Sequence, residues 1–153
     1  MLAGGLIAGT LDIAFACVFW AVKANVPAQR ILQSVAAGLL GPASFEGGAG
    51  TAALGLALHY SIATSMAAAY FVTARRWTPL VERPLLCGTI YGLMLYGVMN
   101  LVVVPLSAAG AGAKDPLWIA LGVAAHVVLI GIPIALCVRM AMGRQSGGVS
   151  AVH

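Results

Sequence analysis

Four apolar runs dominate this chain, at about 2–22, 50–72, 85–106 and 117–137. Each holds about 20 residues, which at ~1.5 Å per residue crosses a hydrocarbon core roughly 30 Å thick. The runs are continuous, without the strict alternation of a membrane barrel, so each predicts a helix. Composition agrees: the 153 residues are 61% hydrophobic and only 8% charged. A soluble domain carries about 25% charged residues to stay solvated. The N-terminus lacks the basic region of a secretory signal, so the first run reads as a retained span.

The net charge of +4 accompanies no basic patch with interleaved aromatics, which argues against nucleic acid as a partner. It fits positive charge flanking membrane spans. Arg75, Arg76, Arg83, Arg139 and Arg144 fall on the side of the termini, against Lys23, Arg30 and Lys114 on the other. That bias predicts cytoplasmic termini. Trp20, Trp77 and Trp118 stand near span ends, as interfacial anchors do. Cys17, Cys87 and Cys137 have no metal-ligand spacing and read as small buried hydrophobes.

Between the first two spans, 28–40 carries Ile31, Leu32, Val35, Ala36 and Leu39 on the helical period, with Arg30, Gln33 and Ser34 elsewhere on the wheel. Pro27 suits a first helical position, and Gly41-Pro42 ends the segment. This predicts a short helix in the membrane interface. The expected fold is therefore all-α: a polytopic membrane four-helix bundle, with a single transmembrane domain over 1–140 and a flexible polar tail over 141–153.

Lipid tails are as apolar as leucine, so membrane helices associate through close packing and polar contacts. Gly5 and Gly9 make a GxxxG pair in the first span, and Gly88 and Gly92 another in the third. Either pair can pack within the bundle or against a second subunit. Pro105 and Pro133 each remove a backbone donor and free a carbonyl, at Leu101 and Leu129. An ordinary kink and a carbonyl lining a polar cavity are the two readings.

Counting depth brings four polar residues together. His59 and His126 each lie about nine residues into parallel spans, so at ~1.5 Å per residue both sit about 13–14 Å below one face. Asp12 comes to about 15 Å below the same face and Asn100 to about 9 Å. Tyr96 lies one turn from Asn100. Ionisable groups at such depth are expensive and need partners or water. The cluster Asp12, His59, Tyr96, Asn100 and His126 can be structural, its members satisfying one another and setting helix register. It can also handle protons or ions, since histidine titrates near neutrality. A third reading makes His59 and His126 ligands of a b-type haem or of a metal. A fourth is an accessory role within a homo-oligomer or larger membrane complex. Enzyme motifs are missing: no HExxH, GxSxG or Walker loop occurs, and no catalytic residue is assigned. Glu46, the acidic residue of the first loop, reads as a cap, as an ion-pair partner of Arg30 or Lys23, or as a gate residue above the cluster.

Some stretches also carry a resemblance. Ile31–Gly41, Phe45-Glu46-Gly47-Gly48, Gly55-Leu56-Ala57-Leu58-His59-Tyr60, Met99–Ser107 and the His126 helix resemble an uncharacterised family of small bacterial four-span inner-membrane proteins. More loosely, they are similar to the YagU-like proteins, with a histidine in the second span, a proline late in the third and a histidine in the last. The resemblance implies a bacterial inner-membrane location and four spans. It implies no substrate.

Overall fold

The structure, a computed structural model, describes residues 2–110 and 115–147. Among these residues all regular structure is helical. The long helices are α1 (Leu2–Ala24), α3 (Gly48–Ala74), α5 (Pro84–Leu106) and α6 (Pro116–Gly143), each long and apolar enough to cross a membrane. Two shorter helices, α2 (Ala28–Leu40) and α4 (Pro79–Glu82), lie in the connections. The helix of α6 continues to Gly147, beyond the boundary expected at 140. Residues 148–153 of the expected tail, and Lys114, lie outside the described residues.

Helix ends follow local chemistry. α1 stops where Asn25 takes φ 52°, and the Asn25 and Val26 N–H groups donate to Ala21 and Trp20 carbonyls. Asparagine tolerates this left-handed geometry better than other residues with a Cβ. α2 stops at Gly41, φ 63°, whose N–H donates to the Ala37 carbonyl. α6 begins on Asp115, which caps it by accepting from the Trp118 N–H at 2.9 Å. Asp115 also pairs with Lys23 from the last turn of α1, which joins the two helices at one end.

α1 packs between α3 and α6, and α6 packs between α1 and α5. Both glycine pairs lie at these seams. A Cβ on Gly5 would stand 2.6 Å from the Thr64 Cα, and one on Gly9 3.1 Å from Ala63 and Tyr60, so this pair seats α1 against α3. A Cβ on Gly88 would stand 2.9 Å from the Gly131 carbonyl oxygen, and one on Gly92 2.4 Å from that of His126. The second pair seats α5 against α6. α3 and α5 meet near one end through the Tyr70 and Tyr91 rings, 5.0 Å apart, and the Tyr91 hydroxyl donates to the Met66 carbonyl at 2.7 Å. The buried apolar cluster around Tyr70, Ile134 and Val138 occupies this end.

α2 is bound to the rest of the molecule more tightly than its amphipathic pattern suggests. A Cβ on Gly55 of α3 would fall 1.9 Å from the Leu32 carbonyl oxygen, so only glycine permits this approach. Gln33, grouped by pattern with the polar face, is 3% exposed instead. Its Nε2 donates to the Gly48 carbonyl at 3.0 Å and to Thr51 Oγ1 at 3.3 Å. An amide can be buried once its hydrogen bonds are made, which a wheel diagram does not register. Of the two readings of Glu46, the ion pair is not formed: Lys23 pairs with Asp115, Arg30 stacks over the Phe45 ring at 4.7 Å, and Glu46 is exposed with no ion pair among the described residues. It closes the 3-10 turn Gly41–Phe45 instead, its N–H donating to the Ala43 carbonyl.

The prolines are accommodated by widened turns. α5 is π-helical over Met99–Val103, and α6 over His126–Gly131. Each wide stretch ends two residues before a proline, Pro105 or Pro133. A proline ring in a regular helix clashes with the carbonyl four residues back and supplies no N–H. An extra residue in the preceding turn changes that spacing.

The Lys23–Asp115 contact has a pH consequence. The hydrogen bond from Lys23, then that from the Trp118 N–H, hold the Asp115 carboxyl below its ordinary value of 3.8. A carboxyl with a lowered folded-state pKa stabilises the fold fully above its unfolded value, and loses that contribution as pH falls through the folded value. Acidification below about 4 is therefore expected to loosen the start of α6. Hydrogen exchange at the Trp118 amide reads it directly. The Asp115→Asn protein is expected to lose that acid-dependent step.

Candidate functional site

Asp12, His59, Tyr96, Asn100 and His126 line one cavity of about 300 Å³. They reach it from α1, α3, α5 and α6. Tight glycine seams set their approach: Gly9 carries the carbonyl that meets His59, and Gly92 sits against the backbone of His126 itself. The π-helical stretches carry Asn100 and His126, so both lie where the helix is locally unwound. Such π turns recur at functional sites.

The side chains of these residues do not bond to one another. His59 Nε2 lies 2.8 Å from the Gly9 carbonyl, and His126 Nδ1 lies 2.9 Å from the Gly122 carbonyl. A carbonyl oxygen can only accept, so each of these nitrogens carries its proton. In the neutral rings His59 Nδ1 and His126 Nε2 are then left as acceptors. Asn100 spends one of its two Nδ2 donors on the Tyr96 carbonyl at 3.0 Å. Asp12 makes no hydrogen bond or ion pair among the described residues, yet lies within electrostatic reach of both His59 and His126. The mutually satisfied network considered from sequence is absent. Backbone carbonyls anchor the imidazoles and the amide, and their remaining acceptors are unspent.

The rest of the wall has two characters. One end is aromatic: Phe15 stacks on Trp118 with centroids 6.0 Å apart, and Trp20 lies 5.3 Å from Trp118. Ile31, Ser34 and Val35 place α2 along the same cavity. The Tyr96 ring meets His126 edge-on at 5.3 Å, which limits rotation of the imidazole. Leu101 and Leu129, whose freed carbonyls were candidates for the lining, are not among the residues that form it. Sequence reading missed α2 as a wall and the aromatic end. The signals were present in Gln33, which needs a partner when buried, and in the pairing of Trp20 with Trp118 at one end of antiparallel spans.

Among the described residues no group of three or more His, Cys, Asp or Glu is placed to hold a metal ion. Chemically, the cavity offers a carboxyl, two imidazoles with free lone pairs, an amide and a phenol within apolar walls. A proton or a cation finds acceptors there, and the volume far exceeds the ~10–15 Å³ that one water requires. No protein-family model, curated protein or solved structure matches the chain.

Proposed function

We propose that this chain is a multi-pass protein of a bacterial inner membrane, with cytoplasmic termini, that takes protons or small cations into the cavity between its four spans. One observation carries the reading. His59 and His126 each spend their N–H on a backbone carbonyl, leaving acceptor nitrogens beside an otherwise unpaired Asp12. Acceptors that receive no hydrogen bond in a membrane interior call for a proton, a cation or water. The cytoplasmic placement of the termini rests on the arginine bias, and the bacterial location on the family resemblance. The test is proton flux in proteoliposomes under an imposed pH gradient. Flux through the native protein is expected to exceed that of empty liposomes and to fall in His59→Ala. A flux unchanged by that substitution rejects a role for His59.

A second reading draws on the orientation of the two imidazoles alone, since no three His, Cys, Asp or Glu among the described residues are grouped to hold a metal. An imidazole whose N–H is fixed by a carbonyl is the usual arrangement of a metal-ligating histidine. The cavity lies at the lower end of the ~300–1,000 Å³ of small-ligand sites, which suits a bare ion better than a haem. Metal analysis and an absorption spectrum of the purified protein test it. Neither stoichiometric metal nor a Soret band is then expected under the proton reading.

A further inference from the structure

A second hollow adjoins the polar cavity. Between α3 and α5 runs an open groove of about 830 Å³, from Leu58 to Thr73 along α3 and from Cys87 to Val103 along α5, with Trp77 beyond the end of α3. On α3 that is a length of about 22 Å. Its hydroxyls offer no free donor. Ser61 donates to the Ala57 carbonyl, Ser65 to that of Ser61, Thr73 to that of Ala69, and Tyr91 to that of Met66. An occupant of the groove therefore meets an apolar channel shaped for a chain.

Cavity and groove share a wall. Ile62, Met66 and Met99 line both. Two of these three are methionines, whose unbranched thioether side chains adapt readily to new neighbours. Met99 also opens the π-helical stretch of α5. Of the three side chains that face both hollows, the two methionines are thus the adaptable part of the wall.

We propose that the two hollows form one site for a lipophilic primary amine, with its ammonium head among the acceptors of the cavity and its alkyl chain in the groove. The chemistry on both sides matches. An ammonium carries three N–H donors and a positive charge. The cavity presents the Asp12 carboxyl, His59 Nδ1 and His126 Nε2, none of which receives a hydrogen bond among the described residues. Neutral lipids lack the charge, and an anionic head would meet a carboxylate. The proposal rests on the cavity being an acceptor site, as above, and adds the class of cation it takes.

The test uses the full chain in lipid nanodiscs with decylamine bearing a diazirine at its chain end, and decanol bearing the same group as the neutral control. After irradiation, mass spectrometry locates the label. The amine is expected to mark α3 between Met66 and Thr73 and α5 between Cys87 and Met94. The alcohol is expected to spread over lipid-facing positions such as Val22, Leu101 and Leu106. Asp12→Asn is expected to reduce the amine's pattern to that of the alcohol. A groove-filling change at the exposed Ala69, Ala69→Phe, is expected to abolish groove labelling without touching the cavity. Identical patterns for amine and alcohol in the native protein overturn the proposal, as does groove labelling that persists in Asp12→Asn. Proton flux measured on the same Ala69→Phe protein separates the two readings. Lost labelling with retained flux leaves the acceptor cavity standing, whereas absent flux in the native protein rejects the cavity reading by itself.

Discussion

Replacing Gly92 with alanine is expected to destabilise the protein by about 1–3 kcal/mol, the usual cost of overpacking a fitted interior. The added methyl would stand 2.4 Å from the His126 carbonyl oxygen and 2.6 Å from the Val127 Cα. Those are backbone atoms of a helix packed along its length, so neither can step aside as a flexible side chain would. α5 and α6 must separate or rotate, and His126 moves with them. Gly97, on the same helix, supplies the control. Nothing lies within 4 Å of its would-be Cβ, and alanine is the better helix former by about 1 kcal/mol. Gly97→Ala is therefore expected to leave stability unchanged or to raise it. Unfolding in mixed micelles, followed by tryptophan fluorescence, measures both. Equal losses at the two positions would reject the seam between α5 and α6.

Changing Asp12 to asparagine is expected to bring proton flux down to the level of empty liposomes. Asparagine keeps the shape and one acceptor oxygen but can neither take a proton nor carry a charge. Because Asp12 makes no hydrogen bond or ion pair among the described residues, the substitution breaks no contact on which the fold depends. Thermal stability close to that of the native protein should accompany the loss. A flux unaffected by Asp12→Asn would remove the carboxyl from the proposal and leave the imidazoles alone. A collapse of stability would instead assign Asp12 a structural role.

How much of this was legible beforehand differs by level. The long helices were, because twenty apolar residues in a row have few alternatives: α3 runs from Gly48 to Ala74 where 50–72 was expected. Depth counting needs only helical rise and alternating direction, and the residues it groups line one cavity. What it cannot give is what each side chain bonds to. His59 found the Gly9 carbonyl, and His126 the carbonyl of its own preceding turn. Those choices depend on rotamers and on a glycine seam that lets a backbone come close. Gln33 was misassigned because pattern weighs residue type, whereas burial weighs satisfied hydrogen bonds. The π turns were invisible for a related reason. Pro105 and Pro133 announce a disturbance, but whether it becomes a kink or a wider turn depends on the neighbouring helix.

Those wide turns are what lets two prolines sit inside long helices. A π turn holds one residue more than the regular screw requires. Deleting Val102 would remove that residue and let α5 close into an unbroken α-helix, its two halves keeping their relative orientation. Pro105 would then stand in a regular turn and clash with the carbonyl four residues before it. The strain would fall on the end of α5 that leads to Ser107 and Ala108, which meet Gly38 at the close of α2. A one-residue deletion in α5 would thus be felt at the far side of the cavity, in the helix that forms part of its wall.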